Sequence, residues 1–470
     1  MNARLLQFLL IPLVFFSPPL NAATSISQYG ITWTFDKDYP SGQFCTGDYW
    51  VVGPVQIIGI STNLHAAGFT PKPGEDGSMV NPGTTDKQGY DNHISSYDAK
   101  LNAALIGGQP VSAKNPLVLK VNSSLVSMVS WLYRSEKDAE PGIPHFTTDP
   151  GGRRPRPVTR SGAVLTVLSS PAPKNSFRPP YCGTDKTIKF NFEKLDLAKL
   201  KNYPPVADTP NPEALAKQME RPWFDHIYEW LGTHVHPSEN MPDYGREMCA
   251  IMDQVALILH IDFSQLPGHP SKDKLLAELI QYGIDLAGIA DNGGGWPNNG
   301  GCHMGKKWPI LFAGLMLNDP HMKDVGKWKT RFQEDEQTFY VTNAEVALTH
   351  SAKWQPDKRS VATPYERADI GMAEWGILHT SNPALDNRTW NTVYRDINYS
   401  VGTGYVLAAR IMGQEEAWNH QALFDYTDRV MKETGGKGGG SSNSTQAFVL
   451  NMWNMFEPLR KSVTHTTKTP

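Results

Sequence analysis

The chain has 470 residues, 40% hydrophobic and 19% charged, and its 44 basic and 47 acidic residues leave a formal charge of −3. That length favours two globular domains over one ordinary core, and the lack of a basic excess excludes a general nucleic-acid binder. Abundant Gly (40) and Pro (36), with 10% aromatic residues, suit long loops and carbohydrate-facing surfaces better than a highly charged intracellular bundle.

Residues 1–23 read as a secretory signal: Arg4, an apolar run from Leu5 to Phe16, then Leu20-Asn21-Ala22 before a cut near Ala22 or Ala23. The run is shorter than a membrane span and Pro12 interrupts it, so a secreted or periplasmic protein with no membrane segment is expected. In that oxidising compartment Cys45, Cys182, Cys249 and Cys302 are expected as disulfides, and the domain split favours Cys45 with Cys182 and Cys249 with Cys302.

Over residues 24–195 short alternating apolar runs predict strands at 30–35, 49–52, 55–60, 117–121, 127–133, 163–169 and 187–192. Gly/Pro/Asn/Asp-rich loops between them suggest an antiparallel β-sandwich-like domain. The proline-rich stretch 196–212 reads as a linker.

Beyond it the period becomes helical. Met248, Ile251, Val255 and Ile258 share one face, as do Leu276, Ile280, Ile284 and Ala287. Further helices are predicted at 213–231, 305–317, 366–378, 392–412, 414–433 and 446–456, and 457–470 is a polar tail. Helices separated by long Gly/Asn/Pro loops fit an open ring of hairpins, an (α/α) incomplete toroid, over 213–456. The predicted fold class is therefore α+β and multidomain.

The loop 291–308 concentrates the candidate chemistry. Its glycines permit close backbone approach, Trp296 and Trp308 offer flat faces to a sugar ring, Asn298 and Asn299 offer amides, and His303 is a general base or acid near neutrality. A second cluster holds Arg359, Tyr365 and Arg367, in which nearby guanidinium groups favour the phenolate of Tyr365. A third holds Asn240, Tyr244 and Arg246, and a fourth runs from Tyr394 to Tyr399. Arg153, Arg154 and Arg156 form a basic run suited to steering a polyanion. His226, His234 and His236 lack a further ligand at metal-binding spacing, so no metal and no cofactor are expected.

The segment Trp296-Pro297-Asn298-Asn299-Gly300-Gly301-Cys302-His303, Arg359 six residues before Tyr365, and the helical half resemble secreted polysaccharide lyases with an (α/α) toroid, most of all the glucuronan- and alginate-cleaving lyases of family 38. The resemblance implies β-elimination on an acidic polysaccharide. His303 would act as base and Tyr365 as acid, while Arg359 with Asn299 or Asn240 would neutralise the uronate carboxylate. Two other readings compete: a toroidal glycoside hydrolase using carboxyl pairs among Asp253, Asp291, Asp369 and Glu374, and a non-catalytic exported glycan-binding protein.

Overall fold

The computed structural model describes residues 21–460, except 86, 95, 134, 136, 144–157, 228–235, 243–244, 352–363, 377–397, 399 and 438–444. The expected signal segment up to residue 20 lies outside the described residues, and the zone of the expected cut falls at the start of the first strand.

Ten strands occupy the N-terminal half: β1 (Asn21–Gln28), β2 (Ile31–Gln43), β3 (Tyr49–Val52), β4 (Val55–Thr62), β5 (Gly77–Val80), β6 (Leu105–Ile106), β7 (Gln109–Pro110), β8 (Leu117–Leu119), β9 (Ser123–Ser130) and β10 (Thr159–Leu168). All but the small β6–β7 hairpin join one eight-stranded sheet in the order β5-β9-β10-β3-β2-β4-β8, with β1 added on β2. Where an antiparallel β-sandwich-like domain was expected, eight of the described strands form one sheet curled into a half-barrel. Nor is it wholly antiparallel, because β10 runs parallel to β3 with Leu165 opposite Tyr49. The expected strand at 187–192 is replaced by a bridge between Ser176 and Asn191 and a 3-10 turn over Phe192–Lys194.

Alternation decides which face each side chain takes. On β2, Ile31, Trp33 and Phe35 point into the curl, where they meet Leu125 and Val129 of β9 and Leu165 and Val167 of β10. The intervening Val126, Met128 and Val164 point outward into a second core shared with the helices. Every residue of β9 is buried because both faces of that strand are covered.

The helical half comprises α1 (Pro212–Met219), α2 (Gly245–Ile258), α3 (Asp273–Asp291), α4 (Lys307–Met316), α5 (Pro320–Lys323), α6 (Gln333–Gln337), α7 (Asn343–Thr349), α8 (Thr403–Ile411), α9 (Glu415–Trp418), α10 (Gln421–Thr434) and α11 (Ala447–Arg460). Strands β11 (Thr338–Tyr340) and β12 (Ala373–Trp375) pair antiparallel between them. Asn211 caps α1 by accepting from the Glu213 and Ala214 amides, and Pro212 occupies its first turn. The helix stops at Met219, ahead of Pro222, well short of the expected residue 231. The helix expected at 366–378 is a 3-10 turn followed by β12, with Gly371 at φ +89° between them. The single helix expected at 414–433 divides at Asn419, which adopts φ +60°.

The two halves are tied together rather than strung on a loose linker. Tyr203 stacks edge-on against Phe456 of α11 and bridges to Ile261. The fully buried Arg178 donates to Asp48, in the β2–β3 connection, at 2.8 Å and to both oxygens of Asp285 on α3 at 2.9 and 2.6 Å. None of the four cysteines forms a disulfide, so neither expected pairing is present. The Cys302 segment is held to α2 by packing of backbone on backbone, and burial pushes the Cys182 and Cys249 thiols upward, keeping them protonated.

Candidate functional site

A cavity of about 650 Å³ opens between α1, the first turns of α2 and the 238–242 loop. Two residues singled out in the sequence, Asn240 and Arg246, line it. The Asn240 amide donates to the Gln218 carbonyl at 2.8 Å, and its Oδ1 is buried without a hydrogen-bond partner. Arg246 is 7% exposed and reaches Glu247 at 3.2 Å and the Ser400 hydroxyl at 3.5 Å. Of the other charges, Glu239 is held by Arg160 at 2.8 Å and Arg221 at 2.9 Å, whereas Lys217 has no carboxylate partner among the described residues. The cavity lining therefore mixes the paired charges of Arg246, Glu247 and Glu239 with the ammonium-bearing Lys217.

Behind this wall lies the loop preceding α4. The Gly300 carbonyl accepts from Gln333 of α6 at 2.6 Å and from Asn398 at 2.7 Å, and the Gln333 oxygen accepts from the His303 amide at 2.8 Å. Asn398 is two residues from Ser400, the partner of Arg246, so one short segment links the cavity to the His303 loop. His303 is 5% exposed, and its Nδ1 lies 2.7 Å from the Pro297 carbonyl. A carbonyl only accepts, so Nδ1 carries the proton and Nε2 is the basic nitrogen of the neutral ring.

Other expectations take different places. Trp296 and Trp308 are at most 1% exposed; Trp296 stacks on Phe332 and donates to the Asp225 carbonyl at 3.1 Å. Their faces are core surfaces and not platforms for a sugar, because the glycines around them let the loop fold inward. Asn298 and Asn299 are half-buried, their amides donating to Glu336 and Gln333. Tyr365 sits in a separate small apolar cluster with Phe339 and Val341, its backbone held by Thr349 and His350. Arg367 is exposed in a 3-10 turn. Arg153, Arg154, Arg156, Tyr244 and Arg359 lie outside the described residues.

The four carboxylates of the hydrolase reading are engaged separately. Asp253 accepts from the Gly402 and Tyr405 amides at the start of α8, Asp291 pairs with His321, Asp369 accepts from the Glu366 amide, and Glu374 pairs with Arg429.

Sequence reasoning missed a buried polar cluster in the helical half. Asp225 accepts from Tyr282 at 2.6 Å and Lys306 at 2.9 Å on one oxygen and faces His236 Nε2 at 3.2 Å on the other. Burial pushes the carboxyl upward, but Lys306 and His236 outweigh it and hold Asp225 well below the usual range. Its signal was absent because residues 225, 236, 282 and 306 share no local spacing. Nearby, burial raises Glu334 of α6 and Asp253 of α2 each to about 7. Among the described residues no group of three metal-ligating side chains gathers.

No family model matches the chain, and no solved structure matches it. Among curated proteins, a stretch of 115 residues is 27% identical to the "Putative ATP-dependent helicase/translocase YwqA" of Bacillus subtilis (strain 168), covering 22% of this chain. The chain spans only 12% of that protein's length. These findings overturn the resemblance to the family 38 lyases, which rested on short runs of Gly, Asn, Trp and Arg that unrelated loops can share. The match to the translocase is too short to carry an activity to this chain.

Proposed function

We propose that this protein is an exported lyase that cleaves a uronic-acid-containing polysaccharide by β-elimination at the Asn240–Arg246 cavity. The observation that carries the reading is the sharing of one cavity by Arg246 and Asn240, its wall joined through Ser400 and Asn398 to the loop of His303. Arg246 neutralises the sugar carboxylate, which acidifies the C5 proton by stabilising the enolate-like charge that develops, while Lys217 at the border of the cavity adds attraction for the polyanion. In this reading His303 Nε2, which is buried behind the cavity wall and reaches the ring only when the 300–303 loop moves, takes the C5 proton, the C4–C5 double bond forms as the C4–O4 bond breaks, and the imidazolium returns the proton to the departing oxygen. The reaction needs no cofactor. Separate engagement of Asp253, Asp291, Asp369 and Glu374 weighs against paired-carboxylate hydrolysis.

The test is the purified chain against alginate, glucuronan, pectate and chondroitin-type polymers. Product carrying an unsaturated uronate, read by ultraviolet absorbance, supports the lyase reading. Saturated reducing ends alone favour hydrolysis, and binding without product favours a glycan-binding protein; either result overturns it.

A further inference from the structure

A second cavity, of about 540 Å³, lies inside the curled sheet. Strands from opposite ends of the sheet order supply its walls: Ile60 and Thr62 from β4, and Ser78 and Val129 from β5 and β9. The curl, bordered by the 65–74 loop and the β6–β7 hairpin, creates a chamber that no single strand pair could make. Its size falls within the usual range for small-ligand sites.

One wall is built from charge. His65 lies between two carboxylates, 2.8 Å from Asp76 and 3.4 Å from Glu140. Glu140 also accepts from the Ala66 and Leu132 amides at 2.7 and 3.1 Å and from Arg160 at 3.3 Å, so its lone pairs are committed. Asp76 accepts from His65 and from the Ser130 amide at 2.9 Å, yet its side chain stays 24% exposed where it lines the cavity. It is a carboxylate fixed in direction with acceptor capacity left over. Phe69 and Lys72 stand on the loop that borders it; the Lys72 backbone amide donates to Glu75 at 2.6 Å, while its exposed ammonium is in no ion pair among the described residues.

We infer that this chamber is a second saccharide-binding site, taking a pyranose ring that carries a carboxylate, separate from the cavity where cleavage is proposed and linked to it through Arg160, which pairs with both Glu140 and Glu239. The apolar floor of Ile60 and Val129 with Phe69 at the rim matches the C–H face of the ring, and Asp76 accepts its hydroxyls. Lys72 meets the acid group. An acyl chain is a poor occupant, because covering Asp76 with hydrocarbon would remove its water and return no hydrogen bond. The inference rests on the acidic-polysaccharide reading and extends it: the β half grips the polymer while the helical half acts on it.

Calorimetric titration of the full-length His303→Ala protein with glucuronate and mannuronate hexasaccharides, and with neutral cellohexaose, tests it. Two classes of site for one of the acidic hexasaccharides are expected, with Phe69→Ala/Lys72→Ala weakening one by about tenfold or more and Arg246→Ala removing the other. Unchanged binding in the Phe69/Lys72 double variant overturns the inference, as does equal affinity for cellohexaose. Product formation by the wild type is measured in parallel. Product with unchanged binding in the double variant defeats this site alone, whereas selective oligouronate binding at the half-barrel without product defeats the cleavage reading alone.

Discussion

The carbonyl of Cys302 rests directly against Gly245, so closely that a Cβ built there would stand 1.9 Å from the oxygen. Gly245 opens α2 one residue before Arg246, and Cys302 precedes His303, so this approach is what sets the candidate base beside the candidate carboxylate binder. Backbone, not a flexible side-chain end, is the obstacle.

Gly245→Ala must therefore push the 300–303 loop away from α2. A loss of about 3 kcal/mol is expected. Urea unfolding measures it, and a variant as stable as the wild type would show that the contact does not fix the loop.

Arg246→Ala should lower kcat/KM on the preferred polyuronate by roughly a hundredfold or more, since it removes the charge opposing the developing enolate. Lys217→Ala, whose ammonium only borders the cavity, should raise KM several-fold and leave kcat near its original value. Steady-state rates of unsaturated product formation separate the two; equal effects on kcat would remove Arg246 from its assigned role.

Lys306→Met leaves Asp225 buried without its cation and should cost about 3–5 kcal/mol. Adding Asp225→Asn removes the stranded charge, so the double variant should be more stable than Lys306→Met alone. Additive losses in chemical denaturation would contradict the coupling.

Glu334 carries a pH signature. It is fully buried, accepts from the Lys307 amide, and leaves its Oε2 without a partner, so burial raises it from 4.5 to about 7. Between those values the folded state holds a proton that the unfolded state has released, so stability falls as pH rises through this window and levels off above it. The contribution is about 3 kcal/mol at full extent. Glu334→Gln cannot ionise, and its unfolding midpoint should gain on the wild type from pH 5 to pH 8. Parallel curves for the two proteins would refute the assignment.

Much of the fold was legible locally. Alternation at Ile31, Trp33 and Phe35 and the 3.6-residue spacing of Met248, Ile251, Val255 and Ile258 mark a strand and a helix wherever one face is buried. The misreadings have local causes as well: 366–378 looked helical by composition, but Gly371 turns the chain and Ala373–Trp375 finds a strand partner in Thr338–Tyr340. Trp296 and Trp308 looked like ligand platforms because an aromatic ring among glycines reads alike in a sugar site and in a tightly packed loop.

By itself the sequence determined composition, charge balance, the change from strand to helix and the residue types able to do acid–base chemistry, because these depend on neighbours a few positions apart. Only the tertiary structure decided that β10 lies parallel to β3, that Asn240 and Arg246 share a cavity, that Asp225 gathers His236, Tyr282 and Lys306, and that the curl of the sheet encloses a second chamber. Such meetings join residues tens to hundreds of positions apart. They follow from how cores close and backbones approach, and no local period records them.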